Sequence, residues 1–423
     1  MPLSPRNLLN FKDEFALTAA TGLALLIQFI FQSVIVRMVS AEEFGLISSL
    51  LAIQGVLNIP IAIWQLGQAR SLSSFSGTTD QFRRFAINQL WQIRHIVLAG
   101  FVFYFLLGPL VRVYISETSN HIWVLVILGC LLSAIESWGL ACFQSLHAFI
   151  WLGLVSVGAA LARLVSILIL IPHVDSVAAV LTAVLGGFLV PIAAIFIFLL
   201  RTRKPSPPQQ ISFLKLSLLP ASLSTSFTIM WLNLDFMIAR SRFNPIMAGE
   251  YATVAVLCKA VFWFATPIAT VYLPRFVKTL STTPESALPM LRRALSLCLA
   301  VAVPALIAGW ILSGWLVKLF AGRNETNIMA EWLRFTMIAK LPIVCVTPFL
   351  AYFVAKDSKR VLVILLAILG MIFLYAQALA RDVHSMLVIM FAGGLCILAV
   401  SGCAAAKMGR DNDISFDFEK EET

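Results

Sequence analysis

The stretch Arg201 to Gln210, RTRKPSPPQQ, divides this chain. Pro205, Pro207 and Pro208 forbid helix continuation, and the adjoining basic cluster marks a loop held in water. Working outward, six apolar runs precede this loop and six follow it. Each is long enough to cross a ~30 Å hydrocarbon core at ~1.5 Å per residue. The spans are expected near 15–36, 44–65, 86–111, 121–143, 148–171, 178–200, 216–238, 250–271, 294–315, 333–355, 361–380 and 385–406. Composition agrees: 60% of the 423 residues are hydrophobic and 12% charged, where a soluble chain carries roughly a quarter charged residues.

The expected fold class is therefore all-α integral membrane, about 12 transmembrane helices in two six-helix lobes related as parallel repeats. Residues 1–200 form the N-terminal lobe, 201–215 a cytoplasmic hinge loop, 216–406 the C-terminal lobe and 407–423 an acidic cytoplasmic tail, most simply disordered. Short echoes favour a duplication. Glu43-Phe44-Gly45 and Gly249-Glu250-Tyr251 each open the second span of a half, and Arg70 and Arg275 each follow that span. Phe143-Gln144-Ser145 precedes the fifth span as Phe353-Val354-Ala355 precedes the eleventh. Parallel repeats place a substrate cavity at the midplane between them.

The formal net charge of +10 is an orientation signal first. The N-terminus, the even loops and the tail hold 19 of the 31 basic residues and the odd loops hold eight, which places both termini in the cytoplasm. No soluble basic domain is present to bind nucleic acid. The first span follows a polar stretch, lacks a small-residue cleavage pattern and should stay in the mature protein. The seven cysteines fall in or beside spans without paired spacing and read as small apolar packing residues.

Charges at depth in a bilayer cost several kcal/mol, roughly, unless they face protein or water, so each is a functional candidate. Lys259 and Lys340 lie near midplane, Arg163 toward the periplasmic side, and Arg94 and Glu136 toward the cytoplasmic side. The basic excess suits an anionic headgroup, for which Arg offers a fork and Lys a point charge. Internal pairing, for example Glu136 with Arg163, is the plainer alternative. Asp235 and Glu136 are the acidic residues well inside spans and the candidates for ion coupling. Pairing of Asp235 with Arg240 is an equal alternative. Polar stripes run along the first span (Thr21, Gln28, Gln32) and the eighth (Lys259, Trp263, Thr266, Thr270). They either line a wet cavity or bond helices together. Pro267 interrupts the striped eighth span and is the candidate gating residue.

The Ser40-Ala41-Glu42-Glu43-Phe44-Gly45 turn, Leu234-Asp235-Phe236, Ala248-Gly249-Glu250-Tyr251 and Pro274-Arg275 resemble segments of bacterial polysaccharide-biosynthesis transporters. These are the O-antigen and exopolysaccharide lipid flippases of the multidrug/oligosaccharidyl-lipid/polysaccharide exporter superfamily. The resemblance covers almost the whole chain in span count and spacing, through short and degenerate motifs. It implies a V-shaped pair of six-helix lobes around a cationic cavity in the bacterial inner membrane. Its passenger would be an undecaprenyl-diphosphate-linked oligosaccharide, carried from the cytoplasmic to the periplasmic leaflet, with membrane lipids, a polysaccharide polymerase and glycosyltransferases as partners.

Two other classes stand beside the flippase. A cation-coupled multidrug antiporter would want acidic groups in its cavity, and residues 15–36 contain none. A membrane-embedded sugar polymerase or transferase usually needs a large extramembrane loop or a His/Asp/Glu cluster, and neither is evident. The absence of metal spacing, a nucleotide cradle or a nucleophile constellation predicts no cofactor and no enzyme activity.

Overall fold

The computed structural model describes residues 5–73, 88, 119–145, 148–201, 218–283, 286–322 and 327–421. The expected span at 86–111, with Arg94, lies outside these residues apart from position 88. Among the described residues the secondary structure is helical, without strands. Among the described residues eight helices are long and apolar enough to cross a membrane, and a bent pair makes a ninth candidate. The protein is a multi-pass membrane protein, all-α, built as two lobes.

The chain separates into two compact units, Met1–Phe213 and Leu214–Thr423, with the boundary just after the proline-rich segment. In the N-terminal unit, α1 (Pro5–Met38), α2 (Ala41–Leu57), α3 (Ile59–Ser73), α4 (Asn120–Ser145), α5 (Phe149–Leu170) and α6 (Ser176–Arg201) are described. α5 packs between α1 and α6, while α4 packs against α3 and α6. The expected single span at 44–65 is instead α2 and α3, bent by 42° at Asn58. The cause is local: Pro60 has no N–H to donate back into the preceding turn, and Asn58 caps α2.

The C-terminal unit contains α7 (Leu218–Arg242), α8 (Pro245–Thr282), α9 (Ala287–Ile311), α10 (Ser313–Ala321), α11 (Asn327–Ala355), α12 (Lys359–Leu379) and α13 (Val383–Glu421). α11 is its axis. Of its most apolar 18-residue stretch 89% is buried, against 22% for α9 and α12, and it touches all six other helices. Side chains on a helix enclosed by protein need not be lipid-soluble, so this is where a lysine can reside. α7 and α8 fall outside the eight apolar spans. α7 tolerates its polar run because Ser222, Ser226 and Thr228 each donate to a carbonyl one turn back, at 2.7, 2.8 and 3.0 Å.

Repeat symmetry is visible at helix ends. Ser40 caps α2 in a capping box with Glu43, and Asn244 caps α8 through the Met247 N–H at 2.8 Å. At the Phe143 and Phe353 echoes, Ala148 N–H donates to the Phe143 carbonyl and Ser358 N–H to the Phe353 carbonyl, both at 2.9 Å. This six-to-one bond closes a helix in Schellman fashion, and Asp357 supplies the left-handed residue at φ 54°. Both phenylalanines are fully buried.

Two further departures from the sequence reading concern the C-terminal unit. The span expected at 294–315 stops at Ile311, and after Leu312 the short α10 runs to Gly322, whose φ of 66° ends it. The acidic tail, expected to be irregular, continues α13 to Glu421. Extending an existing helix avoids the nucleation cost that an isolated segment would meet.

Candidate functional site

Each unit holds a cation at depth by a neutral amide and an aromatic face. In the N-terminal unit, Arg163 on α5 donates from Nη1 to Gln28 Oε1 on α1 at 3.3 Å. Its guanidinium carbon lies 5.3 Å from the centre of the Phe188 ring on α6. Gly187, beside Phe188, makes room for it: a Cβ there would collide with the Arg163 stem. The charge of Arg163 is felt by Glu136 on α4, but the guanidinium hydrogen bond goes to Gln28, not to that carboxylate. Arg163 Nε is buried without a partner. Gln32, one turn beyond Gln28, is half-buried.

In the C-terminal unit, Lys259 Nζ on α8 donates to Asn233 Oδ1 on α7 at 3.4 Å. It stands 4.0 Å from the centre of the Phe236 ring, one turn along α7 from Asn233. Asn233 Nδ2 donates back to the Ile229 carbonyl at 2.7 Å, which fixes the amide with its oxygen toward the lysine. The side chains at 266, 267 and 270 lie outside the described residues. The α8 backbone remains helical through all three positions.

Lys340 has a different environment. Its Nζ lies 2.6 Å from Asp235 Oδ2, with the two side chains 3% and 0% exposed. Tyr251 donates its hydroxyl to the same oxygen at 3.0 Å. One carboxylate oxygen thus ties together α7, α8 and α11. The expected alternative, Asp235 with Arg240, is not formed: five residues along a helix turns a side chain about 140° away from its neighbour. Lys340 also walls a small pocket with Cys258, Ala302, Leu306, Met337, Leu341 and Val344.

Of the expected cavity cations, then, Lys340 is neutralised by the candidate coupling residue Asp235, whereas Arg163 and Lys259 have neutral hydrogen-bond partners. Sequence reasoning did not single out Asn233, Phe188 or Gly187. Phe236 entered it only within a resemblance segment, and Tyr251 within a resemblance segment and a duplication echo. Among the described residues no three His, Cys, Asp or Glu side chains converge as a metal site requires.

No protein-family model matches the sequence, and no curated protein matches it. Solved structures do. The chain is similar to an inward-facing multidrug resistance MATE transporter of the MOP superfamily, with TM-score 0.74 and 10% identity over 92% of this chain and 95% of that one. It is similar to the lipid II flippase MurJ in an inward closed conformation, with TM-score 0.68 and 12% identity over 92% and 87%. A MOP superfamily transporter from Pyrococcus furiosus, described by a binding pocket of reverse polarity, gives TM-score 0.58 and 14% identity over 95% of both chains. At these identities the likeness establishes the fold, that of MOP-superfamily transporters.

Proposed function

We propose that the protein is a flippase that carries an anionic lipid-linked oligosaccharide, an undecaprenyl-diphosphate-linked repeat unit, across the inner membrane by alternating access. Surface polysaccharide assembly would supply the substrate and consume it, through glycosyltransferases on one side and a polymerase on the other. One observation carries this reading. Arg163 and Lys259, in separate units, are each held by an amide oxygen and a phenylalanine face. Such partners position a cation without cancelling its charge, so it can attract a diphosphate. A purely structural cation at that depth would gain more from a carboxylate.

The fold it shares with a lipid II flippase is compatible with a lipid-linked passenger. A second reading, the cation-coupled multidrug antiporter, has the MATE likeness and one atom in its favour: Asp235 Oδ1 is buried without a partner. Polymerase or transferase activity gains no support from this fold.

The deciding experiment is a leaflet-resolved assay in proteoliposomes with labelled undecaprenyl-diphosphate oligosaccharide. Wild type should move it, and Arg163→Ala and Lys259→Ala should each lose about tenfold or more, as an ionic hydrogen bond of ~1.5–3 kcal/mol implies, while inserting normally. Wild-type rates in both variants would overturn the proposal. Efflux of organic cations, abolished by Asp235→Asn, would favour the antiporter.

A further inference from the structure

Arg334 on α11 is gripped by one edge only. Its Nε–H is shared between Ser313 Oγ at 2.8 Å and the Trp310 carbonyl at 3.2 Å, and the buried Ser313 hydroxyl donates to that same carbonyl. The centre of the Trp310 ring lies 5.8 Å from the guanidinium carbon. These contacts fix the plane of the guanidinium where α9 gives way to α10, and among the described residues neither Nη nitrogen has a partner. Its charge is also uncancelled. Glu331, one turn earlier on α11, has its carboxylate 3.7 Å from His384 on α13, and among the described residues no carboxylate pairs with Arg334.

Depth and surroundings suit a lipid headgroup. α11 has 29 residues, ~43 Å at ~1.5 Å per residue against a ~30 Å hydrocarbon core, and Arg334 lies ~10 Å from its start, near one edge of that core. Trp310, Ile311, Leu312 and Trp315 are exposed around it, the setting tryptophan favours where hydrocarbon meets water. Lys318 is exposed one turn beyond Trp315, while Val317 and Phe320 turn into the unit.

We propose that Arg334, Trp310 and the outward side of α10 bind one anionic phospholipid of the phosphatidylglycerol class. The two Nη groups form a fork for the phosphodiester, and an acyl chain lies on Ile311, Leu312 and Trp315. Lys318 selects for net negative charge, since a zwitterionic headgroup would bring a further cation to a face that already carries two. This site does not rest on the transport reading.

The test is the thermal unfolding midpoint of the purified full-length chain in detergent, titrated with dioleoyl phosphatidylglycerol, dioleoyl phosphatidylcholine or soluble glycerol 3-phosphate. Phosphatidylglycerol should raise the wild-type midpoint saturably, by on the order of 3 °C, and the other two should not. Arg334→Gln should need about tenfold more phosphatidylglycerol, as loss of an ionic hydrogen bond implies. Arg381→Gln, which removes an exposed cation before α13, should leave the titration unchanged. On wild type, phosphatidylglycerol with a photoactivatable acyl chain should label residues 310–319, with competition by unlabelled phosphatidylglycerol and not by phosphatidylcholine.

Equal stabilisation by phosphatidylcholine or by glycerol 3-phosphate would overturn the proposal, as would an unchanged titration in Arg334→Gln. Should that variant fail to fold, the wild-type labelling decides: label absent from 310–319, or not competed, rejects the site. Because no arm measures flipping, these outcomes are separable from failure of the transport reading.

Discussion

The two units run through corresponding helices, and one pair of these, α4 with Glu136 and α11 with Lys340, carries charge in both units but of opposite sign, while the remaining buried charges lie on helices that do not correspond. α1 ends at Met38 and α7 at Arg242, roughly 205 residues apart, and the caps Ser40 and Asn244 follow in the same register. Among the described residues of the N-terminal unit the charges sit on α4 and α5, and the cation meets the amide of Gln28. In the C-terminal unit they sit on α7, α8 and α11, and one of two lysines meets a carboxylate. Where α2 and α3 break at Asn58, the corresponding α8 continues unbroken. A repeat therefore conserves where chains turn, which backbone hydrogen bonding dictates, while its interior chemistry is free to diverge. Arg163 and Lys259 leave their charge available; Lys340 and Asp235 spend theirs on each other.

Variants can test how deep this contrast goes. Asp235→Ala strands Lys340 in a buried site and should cost about 3–5 kcal/mol, read as a large fall in the denaturation midpoint. Arg163→Ala removes a hydrogen bond between a charged group and a neutral amide and should cost about 1.5–3 kcal/mol. Equal losses would erase the distinction between the units. Next in size, Gly187→Leu forces a side chain into the space of the Arg163 stem, with an expected cost of about 1–3 kcal/mol and loss of flipping. A variant with normal transport would show that Arg163 need not lie across α6.

The shared features should respond alike. Ser40→Ala and Asn244→Ala each delete an N-cap and should each cost about 1 kcal/mol, measured by thermal unfolding. A loss confined to one would mean the repeats differ even at their turns. The smallest effect lies at Asp382 before α13, whose counterpart before α6 is Asp175, which accepts the Ala178 N–H at 3.2 Å. The Ser385 hydroxyl and its backbone N–H, which donates to Asp382 Oδ1 at 2.8 Å, hold this carboxyl below its ordinary range. A lowered folded-state value means the contribution is present above about pH 4 and lost as pH falls through the folded value. Amide exchange at the start of α13 should accelerate below that range, and Asp382→Asn should abolish the pH dependence.

Most of the architecture was legible because it follows from one constraint: in hydrocarbon, backbone groups must bond internally, so each apolar run becomes a helix of bilayer length. Hence α4, α5, α6, α12 and the start of α13 lie where hydropathy puts them. The break at Asn58 was less legible, since Pro60 alone does not distinguish a bend from a stop. The neutral grip on Arg163 was half legible. Gln28 stood out as part of a polar stripe, but nothing in the sequence joined it to a residue 135 positions away.

By itself, then, the sequence determined the all-α two-lobe class, the region where the chain divides and the list of residues too polar for lipid. Which of those residues cancel each other was decided only by tertiary packing. Lys340 and Asp235 are 105 residues apart and meet because α11 threads the centre of its unit beside α7. Hydropathy is a property of consecutive residues, whereas charge compensation is a property of distance, and only the folded bundle sets that distance.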